Sequence, residues 1–334
     1  MSATAAPVSA ARIGPLDALA GWARRNSWNL GLLAFLAILL VFTKVIQPRY
    51  GIPGIQGLAI SVLPLALAAV AQAIVVISGG IDLSVGAMMA LTSVVAASQM
   101  EGQSPEVGVA VVIGVLILGM VLGAINGSLV VITRVPDIVV TLAMSFVWAG
   151  CALLVLRTPG GKAVDWLQEL VLGSLVIEWI PKAAVLLIVI VAVIWIPLRR
   201  SRLGLSFYAI GSNQLAAFRS GVSVGRTKIL AYAFTGLFAA LGGLSLTAST
   251  GIGTPVPGPY TLQAVAAIVL GGVSLAGGRG GVFGPIVAVV ILQMIRTDMT
   301  FLNVNTNLAV VAQGVILIVV VMVGSLVEIR RSRT

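Results

Sequence analysis

Ten stretches of this 334-residue chain are apolar enough to enter a lipid bilayer: near residues 28–46, 55–78, 83–100, 107–133, 138–157, 183–198, 227–250, 261–276, 281–297 and 306–327. Lipid offers no partner to a bare N–H or C=O, so a spanning segment must be a helix or part of a closed barrel. Runs such as Leu30–Phe42 and Val311–Val323 lack the apolar/polar alternation of a barrel strand, which leaves helices. Charged residues make up 9% of the chain, against about one quarter in a soluble domain. The sequence therefore predicts an all-α integral membrane protein, a polytopic bundle of about ten transmembrane helices (eight to ten).

Several of these stretches fall short of the roughly 20 residues that a full crossing needs. Glycine pairs at Gly79-Gly80 and within Gly277–Gly281 mark the places where helices are expected to bend or break. One membrane domain, 28–327, is expected between tails at 1–27 and 328–334. Residues Met1 to Ser27 carry no adjoining signal-peptide cleavage site, so the first apolar run is read as an anchor that stays.

The net charge of +10 would suggest nucleic acid in a soluble protein. Here positive charge retained on the cytoplasmic side accounts for it. With the N-terminus inside and ten crossings, the inside segments hold 14 of the 20 Lys and Arg residues and the outside segments 6. Both termini are then cytoplasmic. The longest inside connection is 199–226; the longest outside one is about 158–182, where Trp166 and Trp179 suit the membrane interface. There is no histidine, and the single cysteine, Cys151, lies in an apolar run. No catalytic residue, cofactor or metal site is expected.

The strongest local signal is Ser78-Gly79-Gly80-Ile81-Asp82-Leu83-Ser84-Val85-Gly86. Two glycines free the backbone, then Asp82 and Ser84 stand where they can accept from the first N–H groups of a new helix. A carboxylate within a membrane is expensive and marks function, so Asp82 is either a helix cap or a substrate or gating contact. Gln72, Asn126, Ser145, Thr235, Thr247 and Gln293 are further intramembrane polar groups, able to bond solute hydroxyls or to bond across helices. Trp148 could stack on the face of a solute. Small residues at helical spacing over Gly119–Gly127 and Gly236–Gly243 point to close helix packing. A weak echo links Leu67–Ala71 leading to Gly79-Gly80-Ile81 with Leu262–Ala266 leading to Gly271-Gly272-Val273, and is read as chance similarity among Ala/Val/Gly runs. In the inside connection, Gly211-Ser212-Asn213 reads as a turn with a good N-cap, Gln214–Ser220 as two short helical turns, and Gly221 as their end. The Gly277–Gly281 run with Arg279 is not a phosphate-binding Walker A, and no such motif occurs in the chain.

Gly79–Leu91 resembles the hallmark of the ribose/xylose-type monosaccharide permease subunits of bacterial ABC importers. Four further stretches resemble that family in the right order: Asn126-Gly127 with Val135-Pro136 and Thr141-Leu142; Ala209–Asn213 with Ala216-Ala217 and Ser220-Gly221; Ala266–Gly272 with Ser274-Leu275; and Gly277–Gly280. The resemblance covers about residues 30–328. Three places depart from it. Asp137 stands where the family usually has a proline or serine. Acidic residues usual near Thr261 and Gln263 are absent, and Gln214-Leu215 replaces an acidic residue after Asn213.

The resemblance implies a type II ABC importer-like fold, with a permease domain over 28–327. Its segment 199–226 would dock on a separate ATP-binding subunit through Asn213, Gln214, Ala216, Ala217, Phe218, Arg219, Ser220 and Gly221. It also implies a second permease copy (homodimer or close homologue), an extracytoplasmic sugar-binding protein, and a multi-pass place in the bacterial cytoplasmic (inner) membrane. The candidate substrate path comprises Asp82, Ser84, Gln72, Asn126, Thr141, Trp148 and Ser274. Import of a signalling furanone, nucleoside or branched-chain amino acid on the same scaffold is the alternative. An ion-coupled secondary transporter would ask for acid or histidine relays, and only Asp82 and Asp137 qualify.

Overall fold

A computed structural model describes residues 26–256 and 258–305, and beyond these positions 308, 311, 314, 315, 318 and 322. Most of the expected N-terminal tail, the C-terminal tail and most of the expected span 306–327 lie outside the described residues. Among the described residues, seven helices are long and apolar enough to cross a membrane: α1 (Trp28–Ile46), α2 (Ile52–Ile77), α4 (Pro105–Thr133), α5 (Asp137–Val155), α7 (Lys182–Arg200), α10 (Val224–Thr250) and α12 (Phe283–Phe301). Two shorter apolar helices are α3 (Val85–Met100) and α11 (Tyr260–Leu270). Three short helices complete the set: α6 (Asp165–Glu169), α8 (Arg202–Ser212) and α9 (Gln214–Arg219). No strand occurs among the described residues.

Position in the bundle follows from the breadth of each apolar face. A helix that is apolar all round belongs in the interior, and α2 is buried without interruption from Val62 to Ile77. It packs against α10, α11 and α12. The outer helices α1, α4, α5 and α7 turn large aliphatic side chains outward, among them Ile38, Ile132, Leu154 and Ile188. In water such a surface would aggregate; in lipid it needs no cover.

The small-residue stripes do what close packing requires. A methyl group on Gly127 of α4 would come within 2.9 Å of the Ile229 Cα on α10, so these backbones approach as only glycine permits. Polar residues tie the interior: Thr235 Oγ1 donates to the Ala71 carbonyl at 3.1 Å, Ser93 and Thr247 share a 2.8 Å hydroxyl bond, and Gln293 Nε2 donates to the Ser61 carbonyl at 2.8 Å. Ser145 bonds its own helix at Leu142. Thr235, Thr247 and Gln293 thus bond across helices, and Ser145 does not.

Two interruptions shape the interior. The first runs between α2 and α3, the second between α11 and α12. With 11 residues, α11 is about 16 Å long, half of a hydrocarbon core of roughly 30 Å. The expected eighth span is therefore a half-helix. The connection before it also departs from expectation. Thr254 N–H points to Ser93 Oγ at 3.4 Å, and Thr261 Oγ1 accepts from Gly86 N–H at 2.9 Å. Between those contacts the chain descends about 10 Å along α3.

Candidate functional site

The break after α2 is built from its backbone outward. Gly79 has φ +81°, a left-handed turn. Gly79 N–H returns to the Val76 carbonyl and Gly80 N–H to the Val75 carbonyl, both at 2.9 Å. This is the Schellman ending. It recurs after α11, where Gly272 has φ +79°, its N–H returns to Val269, and Val273 N–H returns to Ile268. Both helices thus end in the same backbone device, but the sequence echo does not follow it. The structural register pairs Gly79 with Gly272, one residue off the register in which the two Gly-Gly pairs look alike.

Asp82 and Ser84 of the break, Asn126 of α4 and Trp148 of α5 form one buried relay. Asp82 Oδ1 accepts from the Ser84 N–H at 2.8 Å and from the Ser84 hydroxyl at 2.6 Å. Ser84 Oγ accepts from Asn126 Nδ2 at 2.7 Å. Asn126 Oδ1 accepts from Trp148 Nε1 at 3.1 Å. Asp82, Ser84 and Asn126 are fully buried and Trp148 nearly so. Neither Asp82 nor Ser84 caps α3 in the expected way. Asp82 closes a turn onto Ser84 itself, and the N–H of Gly86 is capped from another helix by Thr261. The turn spends one carboxylate oxygen on Ser84. The other, Oδ2, is buried with no partner.

Thr141 braces the same break from α5. Its Oγ1 accepts from Leu83 N–H at 3.0 Å and lies 3.2 Å from the Ile81 carbonyl. Gln72 lies ten residues ahead of Asp82 in the chain, on buried α2, and both its amide atoms lack partners. Leaving such a group buried and unpaired costs about 1–3 kcal/mol. Ser274 belongs to the second break, where its carbonyl accepts from Gly277 N–H; its side chain is outside the relay.

The segment between α7 and α10 is helical earlier than expected. Gly211 and Ser212 end α8 and are not a turn. Asn213 then caps α9 as expected, Oδ1 accepting from Ala216 N–H at 2.9 Å, and Gly221, with φ +86°, stops it. Gln214, Ala216, Phe218, Arg219 and Ser220 face outward. Ala217 does not: it is 5% exposed, while Leu215 and Phe218 are 59% and 67% exposed. A six-residue helix has too few turns for its phase to be read from sequence, so Ala217, expected at the surface, faces inward, and Leu215 faces outward.

The geometry is that of a polytopic membrane bundle with two interrupted interior helices and a short helix presented at one end. A profile of the family described as branched-chain amino acid transport system / permease component matches residues 54–321. The chain belongs to that family. It is 33% identical to the ribose import permease protein RbsC of Bacillus subtilis over 88% of this chain and 92% of the relative. It is 31% identical to the probable ABC transporter permease protein YphD of Escherichia coli K12, over 100% and 99%. It is 27% identical to the autoinducer 2 import system permease protein LsrD of Escherichia coli O9:H4, over 92% and 95%. No solved structure matches.

Proposed function

We propose that this chain is the membrane-spanning subunit of an ATP-driven importer for a ribose- or xylose-like monosaccharide or similar small polyol. An extracytoplasmic binding protein delivers the solute. ATP hydrolysis falls to a separate cytoplasmic subunit that docks on α9, and a second permease copy completes the path. The likeness to a ribose import permease over most of both chains supports the substrate class. The observation that carries the reading is the relay at the first break. A sugar hydroxyl donates and accepts at once, and the unpartnered Asp82 Oδ2 and the Gln72 amide offer acceptor and donor capacity to such a ligand. Asp82, Gln72, Ser84, Asn126, Thr141 and Trp148 form the proposed path, with Ser274 at its edge. Both termini and the α8–α9 end face the cytoplasm, as the Lys/Arg asymmetry favours.

Purification from native membranes in mild detergent, followed by mass spectrometry, tests the class. A Walker-motif ATPase is expected to co-purify and to be lost from the Leu215→Asp/Phe218→Asp double variant, with its melting temperature unchanged. A chain that purifies alone from several detergents contradicts the reading. The likeness to an autoinducer 2 permease favours one second reading, import of a sugar-like furanone through the same relay. Competition of labelled ribose uptake by autoinducer 2 separates the two substrates.

A further inference from the structure

Asp137 breaks the family pattern, and the structure gives it two partners. Its Oδ1 lies 2.8 Å from Lys228 Nζ, with both side chains about 15% exposed or less. Its Oδ2 accepts from the Tyr232 hydroxyl at 2.8 Å, and that hydroxyl lies 3.4 Å from the Ile81 carbonyl. A methyl group on Gly80 would lie 2.5 Å from Asp137 Oδ2 and 2.9 Å from the Tyr232 hydroxyl. The cluster therefore sits directly on the break. Lys228 and Tyr232 are in the first turns of α10, just after the α8–α9 segment.

The middle of that segment reaches the same break. At the end of α8, Gly211 abuts the Ile77 carbonyl and the Gly278 amide. Gly278 N–H donates to that Ile77 carbonyl at 2.9 Å, and a methyl on Gly277 would lie 3.0 Å from the Gly79 Cα. So the segment between α7 and α10 touches Ile77 by backbone contact at Gly211, and α10, which follows it directly, reaches Ile81 through Tyr232.

We infer that Asp137, Lys228 and Tyr232 are positioning residues that transmit movement of the α8–α9 segment to the break holding Asp82. This rests on the proposed docking of an ATPase at α9. A charge-assisted pair is short and directional. Sheltered from water, it is also costly to break, because a lone charge is left behind. The pair thus ties the start of α5 to α10, while Thr141 of α5 and Tyr232 of α10 both reach the Ile81 carbonyl, so a displacement of α10 moves Ile81 and Asp82 with it. Two sites joined through such an element share a coupling free energy.

The test reconstitutes the chain with its ATPase and binding protein in proteoliposomes and measures solute imported per ATP hydrolysed. Lys228→Met and Asp137→Asn are expected to retain the assembled complex and ATP hydrolysis. Imported solute per ATP should fall about tenfold, within the usual 5–150-fold range of coupling between sites. Asp137→Lys/Lys228→Asp should recover part of the ratio. Tyr232→Phe removes one oxygen and should lower the ratio by a smaller factor, which keeps the test open if the charge variants fail to fold. An unchanged ratio in all the variants overturns the inference, as does a proportionate fall of uptake and hydrolysis, the mark of a static brace. Absence of any ATPase from the unaltered complex overturns the proposed function and the inference with it.

Discussion

The two breaks share a backbone and differ in chemistry. Each ends its helix with a left-handed glycine, Gly79 or Gly272, and the same pair of returning hydrogen bonds. Three residues beyond that glycine the first break has Asp82, tied by side-chain bonds to Ser84 and through it to Asn126 and Trp148. At the equivalent position the second has Leu275, half exposed, and its described internal bonds run through the backbone. A Schellman ending is thus a generic way to stop a helix inside a bundle. Function enters through the side chains it releases. The second break serves the first as a backing surface: Gly277 and Gly278 meet Gly79 and Ile77.

That comparison can be broken in several ways. The largest effect should come from the shared backbone. Gly79→Val and Gly272→Val each force a β-branched residue into a left-handed conformation, costing about 1–3 kcal/mol. The two should lower the melting temperature in detergent by similar amounts; a large difference would show that the endings are not equivalent. Next is Asp82→Asn against Leu275→Ala. The first should cut ATP-dependent uptake about tenfold, a loss of roughly 1.4 kcal/mol in transition-state stabilisation. The second should leave uptake near that of the parent. A smaller effect is expected for Trp148→Phe, which removes one buried bond to Asn126 worth about 1 kcal/mol and should read as a lowered melting temperature with a few-fold loss of uptake. The smallest is Ser274→Ala, expected to keep uptake within about twofold.

How far these features were legible depends on the range of the interaction behind them. The spans were legible because a run such as Val62–Ile77 must be buried in protein or lipid whatever its neighbours. The Asn213 cap was legible because its partner, Ala216, is three residues away. Asp82 and Ser84 were placed at the right turn, but their bonding was not, because the α3 cap comes from Thr261, 175 residues distant. Asp137 registered only as a departure. Its meaning needed Lys228 and Tyr232 of α10, 91 and 95 residues further along the chain.

The central claim is that ATP drives solute through the bundle by way of the Asp82 break. Its most direct test is radiolabelled ribose and xylose uptake into proteoliposomes holding the chain, its ATPase and its binding protein. The account predicts accumulation that requires ATP, persists when ion gradients are collapsed, and drops about tenfold in Asp82→Asn. Uptake driven by an ion gradient without ATP, or ATP-driven uptake indifferent to Asp82, would contradict it.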